Sequence, residues 1–128
     1  MVATEHPSLL LSIVELGGYP DFTPLYQRAG FQVVVEHNMR KALAVIKKKK
    51  PAVIVAEFNY QSDFRDRTSS LESMLATAQH NPGTRIVVFY EKEVAHQFEK
   101  LRACHRIDAV FGFPIDEEEL EACVRGFR

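Results

Sequence analysis

The sequence predicts a doubly wound α/β domain, a parallel sheet of five strands with helices on both faces. Three observations predict it. Short, nearly continuous apolar runs recur five times along the chain. Segments of helical periodicity separate them. Most of those segments carry their own start or stop signals. The length of 128 residues suits one domain over 1–128. A chain of that size buries about two thirds of its surface and needs no disulfide or metal to fold.

The strands come first in the argument because they set the sheet. The runs are Leu9–Val14, Phe31–Glu36 (FQVVVE), Ala52–Phe58 (AVIVAEF), Arg85–Tyr90 (RIVVFY) and Ile107–Phe113 (IDAVFGF). Most are rich in β-branched and aromatic residues and show little polar alternation, as strands covered on both faces do. Between the first two, Thr23-Pro24 opens a helix of about six residues that ends before Gly30, with proline at its preferred first-turn position. Asn38 is placed to cap a second helix with Met39, Ala42, Leu43 and Ile46 on one face. It closes in Lys47–Lys50 and is stopped by Pro51. Ser69 and Glu72 have the spacing of a capping box ahead of Leu71, Met74, Leu75 and Ala78, and Asn81-Pro82-Gly83 ends that helix. Val94, Ala95, Phe98 and Leu101 form the inner face of a fourth. Asp116 and Glu119 cap a fifth, with Ile115 and Leu120 as its staple and Leu120, Cys123, Val124 and Phe127 as its buried stripe.

Strand–helix alternation implies right-handed crossovers in a parallel sheet. With five strands the expected order is 2-1-3-4-5, a three-layer flavodoxin-like sandwich. Ligands of such sheets bind outside the carboxyl ends of strands 1 and 3, where the order reverses. Chemistry is therefore expected at Glu15–Gly18, at Glu57–Tyr60 and at the ends of strands 4 and 5.

Composition narrows the function classes. Hydrophobic residues make up 46% and charged residues 26% of the chain, so it is neither disordered nor membrane-embedded. No apolar run approaches the roughly 20 residues needed to cross a bilayer. The first residues lack the basic segment and cleavage site of a secretory signal. A net charge of −1 gives no global attraction to nucleic acid. Cys104 and Cys123 form no disulfide framework, and the five histidines match no metal-ligand spacing. The expectation is a cytoplasmic protein with no bound cofactor, no metal, and no nucleic-acid or membrane partner.

Three stretches resemble the receiver domain of bacterial two-component response regulators. Ala29-Gly30-Phe31-Gln32-Val33 is similar to the junction of helix 1 and strand 2. Lys50-Pro51-Ala52-Val53-Ile54-Val55-Ala56-Glu57 is similar to strand 3, which in receivers closes on the phosphoacceptor aspartate. Ala109-Val110-Phe111-Gly112-Phe113-Pro114-Ile115 is similar to strand 5 and its Lys-Pro end, where the resemblance also implies a cis peptide before Pro114. The resemblance covers nearly the whole chain. The last helix reaches the end of the sequence, which suggests a stand-alone domain without an output module.

The chemistry implied by the resemblance is altered at every position. Receivers use an aspartate nucleophile, an acidic pair for Mg²⁺, a strand 4 hydroxyl and a strand 5 lysine. Here Glu57 takes the aspartate position, Glu15 alone stands in the acidic-pair region, Tyr90 replaces the hydroxyl and Phe113 the lysine. One extra methylene moves the carboxylate by roughly 1.5 Å, and about 1 Å of misplacement can cost ~100-fold in rate. Phosphorylation is therefore not expected, and the chain reads as a degenerate, pseudo-receiver variant of a phosphorelay component.

Alternatives attach to each residue. Glu57 either imitates a phosphorylated aspartate or is a remnant, and with Glu15 it is a weak candidate for holding Mg²⁺. Tyr90 and Phe113 either fill the crevice or wall a small-molecule pocket. Lys47–Lys50 is either a solvated helix end or a patch for an anionic partner. In the stretch Phe58–Arg67, Phe58, Tyr60, Phe64 and Arg65 are candidate partner contacts. Phe98 and Arg106 are candidates on the helix 4, strand 5, helix 5 surface, through which the resemblance implies a homodimer. The leading expectation is a signalling protein acting by protein–protein contact and not an enzyme. The competing one is a flavodoxin-like protein binding a small ligand or cofactor in the crevice between strands 1 and 3. Acid/base catalysis by Glu15 and Glu57 ranks last, for want of a nucleophile–base pair.

Overall fold

A computed structural model describes residues 8–16, 18–59 and 65–127, with the backbone alone for 65–69. Its strands are β1 (Ser8–Ile13), β2 (Phe31–Glu36), β3 (Val53–Glu57), β4 (Arg85–Glu91) and β5 (Ala109–Phe113). They pair in parallel in the order β2-β1-β3-β4-β5. The nearly unbroken apolar runs thus belong to a sheet covered on both sides, and every residue of the central β3 is buried.

Side-chain alternation divides the core in two. On one face Leu11, Ile54, Ala56 and Val88 meet α2 (Met39–Lys49), α3 (Arg65–Ala78) and α4 (Ala95–Cys104). On the other, Leu10, Val55, Val87 and Phe89 meet α1 (Thr23–Arg28) and α5 (Glu117–Arg125). Ile46, Met74 and Leu120 are fully buried within these layers. Each such side chain contributes on the order of 1.5–3 kcal/mol by leaving water.

The helix ends follow the local signals with two exceptions. The Asn38 side chain accepts hydrogen bonds from the Arg40 and Lys41 N–H groups at 2.8 and 3.2 Å, and Asp116 accepts from the Glu119 N–H at 3.0 Å. The expected capping box at Ser69 and Glu72 is overturned. The helix begins at Arg65, which puts Ser69 inside it. The upstream residues Arg65–Thr68 are polar but contain neither Gly nor Pro, so nothing local stops the helix from extending over them. The second exception is Lys50. Pro51 ends α2 as expected, but the ending is made by Lys50 in the left-handed conformation (φ 46°).

Candidate functional site

The carboxyl ends of the strands bring Glu57, Phe89 and Phe113 to the α1/α5 face of the sheet. Register explains the grouping: Glu57 lies opposite Phe89, and Glu91 opposite Phe113. Alternation then sends Ala56 and Phe58 to the α3/α4 face and Glu57 away from it. Glu57 is buried, at 6% exposure. Its Oε1 accepts from the Leu16 backbone N–H and from Asn59 Nδ2, both at 3.4 Å.

Between β1, β3 and α1 lies a cavity of about 330 Å³. Its aromatic walls are Tyr19, Phe22, Tyr26 and Phe89, and Glu57 and Asp21 supply its acidic groups. Ser12, Thr23 and His37 also border it, and His37 Nδ1 lies 2.9 Å from the Val14 carbonyl oxygen. The rings form one connected cluster. Tyr19 packs on Phe89 at 5.4 Å and edge-on to Phe113 at 5.6 Å, and Phe22 packs edge-on to Phe89 at 5.8 Å. No lysine or arginine is among the described residues lining the cavity.

The electrostatics are those of a negative, partly dry crevice. Burial pushes the Tyr19 hydroxyl well above the usual tyrosine range, and the charges of Glu91 and then Glu57 push it further. Burial, and secondarily Asp21, does the same to Tyr26. Asp21 is held below the usual carboxylate range, first by the Thr23 backbone N–H, which donates to it at 3.0 Å, and then by the Thr23 side chain. The Tyr19 hydroxyl is buried and has no hydrogen-bond partner among the described residues.

The expected crevice residues divide between the two faces. Tyr90 does not line the cavity. It sits opposite Gly112 in the register and stacks on Phe98 of α4, centroids 4.7 Å apart and 16° from parallel, so it belongs to the α3/α4 face. The reading of Tyr90 as a crevice filler is corrected to Phe89 and Tyr19, for a reason of parity: Phe89, not Tyr90, is the β4 residue on the side of Glu57. Lys92 reaches over Gly112 on the same side as Tyr90 and does not line the cavity. Phe113 is 40% exposed and touches the ring cluster through Tyr19. The peptide bond between Phe113 and Pro114 is cis. Glu15 is half-buried beyond β1 and does not line the cavity.

Two partner-contact candidates are corrected outright. Phe58 is 3% exposed and Phe98 fully buried, with their rings packed against each other at 5.2 Å, so both are core residues. Phe58 continues the alternation of β3 into the α3/α4 layer, and the hydrophobic gain of burying it outweighs presentation to a partner. Arg106 is exposed, but its guanidinium is held by Asp108 at 2.7 Å and by the Thr84 carbonyl at 3.1 Å. Tyr60 and Phe64 lie outside the described residues, and Arg65 opens α3 with its side chain outside the description.

The receiver resemblance implies a Mg²⁺ ion at the acidic crevice, and of its two expected ligands Glu57 borders the cavity while Glu15 does not. Among the described residues, no three His, Cys, Asp or Glu side chains gather closely enough to hold a metal. Such an ion needs several hard oxygens in near-octahedral array.

No family model matches the chain, and no curated protein matches it. Solved structures do. A response regulator from Thermotoga maritima superposes with a TM-score of 0.71 at 13% identity, covering 94% of this chain and 97% of that one. A chemotaxis protein of Vibrio cholerae does so at 0.68 and 15%, covering 96% and 100%. A LuxR-family DNA-binding response regulator of Staphylococcus aureus is 17% identical at a TM-score of 0.67, covering 94% and 98%. The chain therefore has the flavodoxin-like fold of response regulator receiver domains. No helix among the described residues is long and apolar enough to cross a membrane.

Proposed function

We propose that the chain is a receiver-like signalling domain of a bacterial two-component phosphorelay that works in the cytoplasm by protein contact and takes up no phosphoryl group. One observation carries the reading. The carboxylate that ends β3 is Glu57, buried beside aromatic rings, and the residue that ends β5 is Phe113. An acyl phosphate forms only where cations offset charge on the phosphoryl oxygens. Losing one comparable donor costs about 2.7–4 kcal/mol in other enzymes. Phe113, at the end of β5, offers a ring where receivers carry that cation. Such a domain binds and does not turn over a substrate.

Incubation with acetyl phosphate and Mg²⁺ followed by intact-mass measurement tests the reading. The expected result is an unchanged mass. A phosphoryl adduct that disappears in Glu57→Gln overturns it.

The partner surface we assign to α4, β5 and α5. β5 is an edge strand of the sheet, and Phe113 at its end is exposed. Sedimentation should show a reversible dimer that Phe113→Glu dissociates, and a monomer at all concentrations would refute the assignment. A second reading, a small ligand held in the crevice between β1 and β3, is favoured by the 330 Å³ cavity there. That size is at the low end of small-molecule sites, roughly 300–1,000 Å³.

A further inference from the structure

We infer that the cavity between β1, β3 and α1 binds a small organic cation, an amine carried on an aromatic or aliphatic body. The inference rests on the reading that Glu57 does not accept phosphate, and it deepens that reading by giving the same crevice a ligand class.

Two features of the cavity select this chemistry together. The first is its walls. Tyr19, Phe22, Tyr26 and Phe89 surround a space of about 330 Å³, and Phe22, Tyr26 and Phe89 are each at most 5% exposed. Such walls favour an apolar body, and an aromatic face that meets a cation attracts it by about 0.5–2 kcal/mol. The second is the sign of the charge. Glu57 and Asp21 border the space and bring two carboxylates to it, which favours a cationic ligand over an anionic one.

A divalent metal ion is the competing cation. It is held by one or two carboxylates with waters completing the octahedron, and among the described residues no group of three His, Cys, Asp or Glu gathers to hold one. A primary ammonium on an apolar body pairs with a single carboxylate while its body fills the aromatic walls. The ligand chemistry is therefore one positive charge, one or two rings or an equivalent chain, and no acidic group.

The test is calorimetric titration of the full chain with phenethylamine, with phenethyl alcohol as its neutral counterpart and MgCl₂ as the metal arm. Phenethylamine is expected to bind at least about tenfold more tightly than the alcohol, a difference of roughly 1.4 kcal/mol. In Glu57→Gln that preference should vanish while the alcohol still binds. Phe22→Leu keeps the wall apolar and removes a ring face, so it should weaken the amine several-fold and the alcohol little. Circular dichroism checks that both variants are folded, and shifts of the Tyr19 and Phe89 ring resonances should report amine binding at the cavity itself. Equal binding of amine and alcohol overturns the inference. So does no binding of either, Mg²⁺ displacing the amine, or amine binding that survives Glu57→Gln unchanged. A phosphoryl adduct from acetyl phosphate would instead defeat the phosphate-independent reading, and it is scored by mass in the absence of amine.

Discussion

Lys50 shows how one residue can be decided by its neighbours. Pro51 ends α2, and the chain must turn away from the helix within one residue, which puts Lys50 at φ 46°. A side chain in the left-handed region costs roughly 1–2 kcal/mol, and glycine avoids that cost. Comparing Lys50→Gly with Lys50→Ala removes the charge in both and isolates the backbone. The glycine variant should be more stable by about 1 kcal/mol in urea unfolding. Tyr90 is decided by a glycine. Gly112, its partner across β4 and β5, leaves room for the ring, and a Cβ there would meet Tyr90 Cζ and Oη and Lys92 Cε, each at 3.2 Å. Lys92 can bend away, but Tyr90 is stacked on Phe98. Gly112→Ala should therefore cost about 1 kcal/mol, at the low end of overpacking penalties, measured as a lowered thermal midpoint.

The elements were legible to different degrees. The strands read clearly because burial on both faces leaves almost no polar residue in Val53–Ala56 or Ile86–Phe89. α2 and α5 read clearly because Asn38 and Asp116 cap them and their apolar stripes are regular. α1 is short, yet Pro24 marked its start correctly. α3 was misread at its start because Ser69 and Glu72 imitate a cap within a polar stretch that is itself helical. Ties between elements carry charge as well. Arg28 and Arg125 both pair with Glu121, joining α1 to α5, and their hydrogen bonds hold that carboxyl below its usual range.

The whole molecule responds to pH through its buried phenols. Tyr26 is 2% exposed, and Tyr19 has a buried hydroxyl. Burial raises both above their ordinary values. A raised acid in the fold stays neutral while the unfolded chain ionises, so their contribution is complete below about pH 10, the ordinary tyrosine value, and is lost as pH rises beyond it. The urea midpoint should fall between about pH 9 and about pH 11. Tyr26→Phe should fall less steeply over the same interval, and a Tyr26→Phe profile parallel to the parent's would refute the assignment.

The one-dimensional pattern of apolar runs, caps and breakers determined the layered α/β fold and put Glu57 at a strand end, because those depend on periodicity and on the short reach of local hydrogen bonds, while the strand order followed from the usual topology of five such units. It also led to Phe113, since chain position puts a residue at a strand end. Tertiary structure alone decided which rings face Glu57. Phe89 rather than Tyr90 shares its side, Tyr19 enters from a loop, and Phe58 and Phe98 close on each other inside the core. The physical reason is that the side a strand residue takes relative to a neighbouring strand depends on register, and register is set by contacts among residues far apart in sequence.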